Sequence, residues 1–215
     1  MLYGNYKALY EILIVIIDKK RIFHDPLHTL AFGTDASFYR LIPKMVIRAN
    51  DETEISLILK ECSELSIPVT FRAAGTSLSG QAISDSVLVI AGNNWNDFSI
   101  NSDGTEIRLQ PGLKGGKVNS LLAPYGRKIG PDPASVNTAM IGGIAANNAS
   151  GMCCGTAENS YKTVAGMRII LSDGSLLDTK EDSSKDSFRK SHTRLISDIE
   201  AIANSAKSNL ILAER

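Results

Sequence analysis

An apolar, strand-like run ending at Phe71 passes directly into residues with almost no side chain: positions 71–80 read FRAAGTSLSG. Upstream, Met45-Val46-Ile47 has the character of a short strand, and Asp51 with Glu54 three positions later is a capping-box-like helix start. Ile55, Ile58, Leu59, Cys62 and Leu65 then share one helical face. Ile67 to Phe71 returns as a strand. Residues 44–72 are therefore predicted to be a strand–helix–strand unit whose second strand delivers the small-residue stretch at its carboxyl end, where α/β units bind ligands. A second stretch, 130–151, is rich in Gly, Ala, Asn and Pro, too apolar for a solvated linker and too small for an ordinary packing helix. In both, backbone must approach something closely.

The rest of the chain mixes element types. Ser86 to Ala91 reads as a buried strand, Glu106 to Leu109 alternates up to Pro111-Gly112, and a short helix is predicted around Val118, Leu121 and Leu122. Met167 to Leu171 is strand-like, and Asp173-Gly174 ahead of Ser175-Leu176-Leu177 marks a hairpin. A strand–helix–strand unit beside antiparallel hairpins argues for an α+β fold. Residues 5–20 carry apolar side chains at Tyr6, Leu9, Leu13 and Ile16 or Ile17, and the run Ile12 to Ile17 reads as one side of a buried helix. The polar tract 180–190, KEDSSKDSFRK, reads as a surface connector, followed by a helix through Leu195, Ile199, Ile202 and Ala206. The expected organisation is an N-terminal helical extension (1–42), a central domain (43–179), and a connector and helix (180–215) leading into a further domain. The chain thus reads as the front portion of something longer.

Composition narrows the functional classes. With 215 residues and 43% hydrophobic content the chain can fill a core, and Lys+Arg 23 against Asp+Glu 23 leaves no net charge to draw it onto nucleic acid or an anionic membrane. Any anion must be held locally. Cys62, Cys153 and Cys154 are an odd, irregular set that fits a reducing, cytoplasmic compartment better than a disulfide scaffold. No metal site is predicted, because His24, His28 and His192 are scattered and three thiols fall short of an iron–sulfur ligand set. The longest aliphatic run is far below the ~20 residues of a membrane span.

Gly75 and Gly80 have the spacing of a phosphate-binding P-loop, but Gln81-Ala82 stands where Lys and Ser or Thr belong, and no G-x-G-x-x-G occurs. What remains is a strand opening into Arg72-Ala73-Ala74-Gly75-Thr76-Ser77, where consecutive N–H groups can form an anion nest suited to a pyrophosphate. The competing reading is a tight turn that needs glycine for positive φ. Arg72 suits phosphate or ends a strand in solvent; Asp132, between two prolines, accepts from a ligand or caps a turn; Cys153-Cys154 reads as packing.

RAAGTSLSGQ, GPDPASVNTAMIGGIAANNASG and VAGMRIILSDG, in that order, resemble the FAD-binding domain of the vanillyl-alcohol-oxidase (PCMH-type) superfamily, in its D-lactate dehydrogenase and glycolate oxidase branch. The resemblance covers about residues 40–180. The preface at 25–43 looks most like larger bacterial members that join this domain to a downstream iron–sulfur domain. It implies two α+β subdomains with FAD extended between them. By the resemblance, Arg72, Ala73, Ala74, Gly75, Thr76, Ser77 and Leu78 surround the pyrophosphate. Pro131, Asp132, Pro133 and Ser135 with Ile141, Gly142 and Gly143 line the flavin and ribityl side, and Ala146, Asn148, Gly151 and Ile169 complete the groove. Relatives that attach flavin covalently carry a histidine in the first loop; Thr76-Ser77 stands there, which implies non-covalent FAD. Where many relatives have Tyr-Gly, this chain has Ala157-Glu158.

The function implied is oxidation of a 2-hydroxy acid such as D-lactate or glycolate by hydride transfer to flavin, in the cytoplasm or peripheral to the inner membrane. The substrate carboxylate and the base are expected in a later cap domain, so no catalytic residue is assigned and these residues alone are expected to be inactive. The electron acceptor stays unassigned. A nucleotide-binding module without turnover, or the same fold acting on another alcohol-type substrate, are the alternatives.

Overall fold

The computed structural model describes residues 2–91 and 95–208. Residues up to Val164, with Leu171–Ser175, form one compact unit; Ala165–Ile170 and the chain from Leu176 onward form another.

The first unit opens with α1 (Gly4–Leu13), a 310 turn at Lys19–Arg21, β1 (Ile22–Phe23) and α2 (Pro26–Ala31). The segment ahead of residue 43 therefore supplies a strand as well as helices. β2 (Met45–Ala49), α3 (Glu52–Glu64), β3 (Val69–Arg72) and β4 (Val87–Ala91) complete a sheet of order β1-β2-β4-β3. β2, β4 and β3 run parallel and β1 is antiparallel to β2. The aliphatic runs of β2 and β4 are buried because both lie inside the sheet, and they pack with Leu9, Leu13, Ile17 and Ile58. On α3, Ile55, Ile58 and Cys62 face this core at helical spacing. Burial pushes the Cys62 thiol up to about 12, so it stays protonated.

The run Ile12 to Ile17 is only partly buried, contrary to its reading as one side of a buried helix. α1 ends at Leu13, the chain turns, and Ile17 is buried while Val15 and Ile16 are 81% and 57% exposed.

The start of α3 is set by Asp51, whose carboxylate accepts the Glu54 N–H at 2.9 Å. Glu54 accepts from the Asn50 N–H at 2.8 Å and takes the Arg21 guanidinium in a bidentate pair at 2.6 and 2.7 Å. This buried carboxylate ties the N-terminal segment to the sheet, and it raises the Arg21 pKa through the same hydrogen bonds.

Beyond the sheet, β5 (Phe98–Ile100) and β6 (Ile107–Leu109) form an antiparallel pair, followed by α4 (Gly115–Leu122), α5 (Ile141–Ala146) and α6 (Ser160–Thr163). Leu113, Val118 and Leu122 make a second core, against which Ile100, Ile107, Leu109, Ile129 and Ile141 pack. The Ile141 N–H donates to the Leu113 carbonyl at 2.8 Å and the Gly115 N–H to the Ala139 carbonyl at 3.0 Å, which pins the start of α5 beside α4.

The second unit contains β7 (Arg168–Ile170) paired antiparallel with β8 (Leu176–Asp178), then α7 (Asp182–Ser191) and α8 (Thr193–Ser208). Gly174, in the turn between the strands, has φ of +81°. The tract read as a connector is a helix: α7 buries nothing, and ion pairs of Asp182 with Lys185 at 2.6 Å and Asp186 with Arg189 at 3.1 Å run along it. The predicted last helix is α8; residues 209–215 lie outside the described residues.

Replacing Glu54 with Ala strands Arg21 and the Asn50 N–H and is expected to lower the unfolding free energy by about 2–4 kcal/mol in urea denaturation. Glu11→Ala, which breaks an exposed pair with Lys7, is expected to move it by less than about 0.5 kcal/mol.

Candidate functional site

β3 ends at Arg72, and the residues that follow run along one side of a cavity of about 300 Å³. Ala73, Ala74, Gly75, Thr76 and Ser77 line it together with Pro133, Ser135, Gly143 and Ala146. The two small-residue stretches, 60 positions apart in the chain, thus share one concavity. Their separation is set by how little side chain each carries: a Cβ built on Gly143 would sit 3.4 Å from the Cβ of Ala73. The N–H groups of Ala74, Gly75, Thr76 and Ser77 find no acceptor among the described residues. Gly75 holds φ of +70°, and its carbonyl accepts the Ala36 N–H at 2.9 Å, which fixes the loop from outside.

Other predicted residues serve the walls rather than the space. The Arg72 guanidinium donates to the carbonyls of Phe32, at 3.0 Å, and Thr34, and lines neither cavity described below or above. Burial pulls its pKa down, with Asp35 acting in the opposite sense. It braces the loop through these two carbonyls. The Ser77 hydroxyl is engaged locally, accepting from the N–H groups of Ser79 and Gln81 at 3.2 and 3.3 Å. Leu78 is 76% exposed.

In the second stretch, Asp132 takes the capping role. Its carboxylate oxygens accept the N–H groups of Cys153 and Cys154, each at 3.1 Å, and the Cys154 bond leads in holding its pKa down to about 2. A Cβ on Gly151 would fall on the Asp132 carbonyl oxygen, so this glycine serves that close approach. Gly142 packs on Pro111, where a Cβ would meet the proline Cβ at 2.8 Å, and Ile141 belongs to the second core. Pro131 is buried, and Asn148, at φ of +44°, accepts the Tyr161 N–H at 2.9 Å. None of Pro131, Asp132, Ile141, Gly142, Asn148 and Gly151 lines either of the two cavities described. Ile169 lies in β7, in the second unit. Cys154 is buried but Cys153 is exposed, which corrects the packing assignment for the latter.

Sequence reasoning missed Phe71, Gln81, Ala82, Ala139, Met140, Ile144, Asn147 and Ala149, all of which line the cavity. The signal was available for most: they fall inside or beside the same two stretches. A second cavity of about 560 Å³ shares Ala73, Ala74 and Met140 with the first and adds Arg21, Arg48, Asn50 and Lys114 from outside both. Nothing in the local sequence marks those four.

A concavity walled by alanine, glycine and hydroxyl residues, with a row of unmet main-chain donors, has the chemistry of an anion-binding cradle. The chain belongs to the FAD binding domain family, whose model matches residues 43–180. This bears out the resemblance read from the sequence. Among curated proteins it is 35% identical over 120 residues to glycolate oxidase subunit GlcD of Escherichia coli K12, covering 55% of this chain and 24% of that protein. It is 28% identical over 155 residues to D-2-hydroxyglutarate dehydrogenase of Pantoea ananatis (70% and 15%), and 30% identical over 150 residues to mitochondrial D-lactate dehydrogenase [cytochrome] 1 of Saccharomyces cerevisiae (67% and 25%). The chain thus spans a quarter or less of each of these relatives. Solved structures share the fold: alkyldihydroxyacetonephosphate synthase at TM-score 0.70 and 14% identity (86% of this chain, 38% of that one), and 6-hydroxy-D-nicotine oxidase of Arthrobacter nicotinovorans at 0.64 and 15% (73% and 35%).

The Asp132 assignment has a pH signature. A carboxyl held at about 2 when folded stabilises the fold above its unfolded pKa, and that contribution is lost as pH falls through about 4 toward 2. Asp132→Asn is expected to be less stable than wild type near neutral pH, with the gap closing across this window in denaturation at graded pH. A gap independent of pH would refute the capping role.

Proposed function

We propose that this chain is the FAD-holding part of a flavin-dependent oxidoreductase that oxidises a 2-hydroxy acid. The observation that carries the cofactor reading is the meeting of Ala73–Ser77 with Pro133, Ser135, Gly143 and Ala146 around one cavity. The residues present fit the cofactor. Unmet N–H groups of Ala74–Ser77 supply donors for a diphosphate without a cation, and the Thr76 hydroxyl adds another. At about 300 Å³ the cavity suits the diphosphate and its flanking groups rather than a whole dinucleotide. Thr76 and Ser77, rather than a histidine, stand in the first loop, which supports non-covalent attachment. Bound FAD supplies the hydride acceptor; the protein groups hold and orient it.

The substrate class rests on the relatives, which are named for glycolate, D-lactate and D-2-hydroxyglutarate. In this reading the substrate base and any iron–sulfur cluster belong to downstream domains, and the protein works in the cytoplasm or at the inner-membrane surface.

Titration of the purified chain with FAD, followed by flavin fluorescence, is expected to saturate at one equivalent. Gly143→Ala, whose added Cβ meets Ala73 at an ordinary contact distance, is expected to retain uptake, whereas Gly143→Leu fills the gap and weakens it by at least about tenfold. A wild-type chain that never takes up FAD would refute the cofactor reading. For the substrate class, anaerobic addition of D-lactate, glycolate or D-2-hydroxyglutarate to the full-length FAD-loaded protein is expected to bleach the flavin band, and failure with all three would overturn it.

A further inference from the structure

The loop that follows β3 is gripped from behind by residues 32–39, which precede the family-matched stretch beginning at residue 43. They meet the loop at its start, middle and end. At the start, the Phe32 and Thr34 carbonyls accept the Arg72 guanidinium. In the middle, the Ala36 N–H donates to the Gly75 carbonyl. At the end, the Asp35 carboxylate accepts the Ala82 N–H at 3.3 Å, and a Cβ added to Gly80 would stand 3.0 Å from the Tyr39 ring. The segment is closed on itself as well: Thr34 bridges antiparallel to Arg40, Asp35 accepts the Ser37 N–H at 2.9 Å, and the Ser37 hydroxyl accepts the Tyr39 N–H at 3.2 Å. Asp35 joins the two structures. One of its oxygens closes the turn of the segment, the other reaches the far end of the loop, and its charge favours the Arg72 guanidinium at the near end.

Consecutive N–H groups receive an anion only while they point to one side, and alanine and glycine have too little side chain to hold a loop in that conformation by packing. The constraint comes from outside the loop. We infer that Asp35 is a positioning residue for the main-chain donors of Ala74–Ser77: it lines neither cavity, and through Ala82 it ties the loop to the segment that also holds Arg72 and Gly75. The inference deepens the proposed cofactor function and rests on it for the identity of the anion. It also makes the donors of the matched domain dependent on residues in front of that domain. A carboxylate suits the task because both of its oxygens accept; an asparagine offers one acceptor and sets an NH2 against the second N–H.

The test combines hydrogen–deuterium exchange of the chain, without ligand, with FAD titration by flavin fluorescence, for wild type, Asp35→Ala and Asp35→Asn. Asn101→Ala, which unties the turn between β5 and β6 far along the chain, serves as a variant that is destabilised without touching the loop; circular dichroism verifies folding. In Asp35→Ala, peptides covering 72–82 are expected to exchange at least about fivefold faster while those of β2 and β4 keep the wild-type rate, and the FAD Kd is expected to rise at least about tenfold. Asp35→Asn is expected to fall between Asp35→Ala and wild type, and Asn101→Ala to keep the wild-type exchange at 72–82 and the wild-type FAD Kd despite a lower Tm. Unchanged exchange at 72–82 in folded Asp35→Ala overturns the inference, as does an unchanged FAD Kd in that variant, or an equal loss of FAD affinity in Asn101→Ala. Should the wild-type chain take up no FAD while exchange at 72–82 alone quickens in Asp35→Ala, the hold of Asp35 on the loop stands and the flavin reading alone falls.

Discussion

The cavity beside Ala73 and Gly143 stays open because neither residue has a side chain that reaches into it, and the surrounding structure holds their backbones where they are. On one side, the Arg72 guanidinium is fixed to the carbonyls of Phe32 and Thr34, and the Gly75 carbonyl accepts from Ala36, so the loop leaves the sheet in a set direction. On the other, α5 is anchored by the Ile141 and Gly142 N–H groups, which donate to Leu113 and Pro111 at 2.8 and 2.9 Å. The spacing of the cleft is inherited from two cores, that of the parallel sheet and that built on Leu113, Val118 and Leu122. A substitution at either core reaches the cleft by shifting one wall against the other.

The electrostatics of the cleft follow from the same economy of side chain. Main-chain N–H groups carry partial positive charge that cannot be titrated away and that needs no counter-ion, so a chain of zero formal charge can still receive a phosphate. Arg72 is turned outward to carbonyls. Asp132 is turned into its own loop, where the Cys153 and Cys154 N–H groups occupy both of its oxygens. Each of these charges is thereby withdrawn from the cavity that the small residues enclose, and discrimination there falls to shape and main-chain geometry.

Much of the sheet was legible in the sequence because its inner strands, β2 and β4, are largely buried and read as aliphatic runs, while α3 showed its apolar stripe and its Asp51 cap. Strand order was not: runs of Val and Ile say that β4 is buried, but not that it inserts between β2 and β3. α7 escaped because none of its residues is fully buried and Phe188 is its one large apolar side chain, so the hydrophobic period that reveals a helix is missing from its sequence. Val15 and Ile16 misled for the opposite reason. They continue an apolar run past the point where α1 ends, and hydropathy carries no information about where a helix stops.

The glycines separate what motif reading can deliver from what it cannot. Gly142, Gly143 and Gly151 sit in one stretch, and each position excludes or limits a side chain, yet the excluding neighbour differs: Pro111 for the first, the opposite wall of the cavity for the second, Asp132 for the third. From sequence all three look alike, although a Cβ is excluded at Gly142 and Gly151 and fits at Gly143, where only a larger side chain would meet the opposite wall. A family match across 130–151 therefore reports a surface in which demands from packing and from ligand are interleaved residue by residue. Only the three-dimensional neighbours tell them apart. By that criterion Gly143 and Ala73, rather than Asp132 or Gly151, are where a change in side-chain volume acts directly on the space of the cavity.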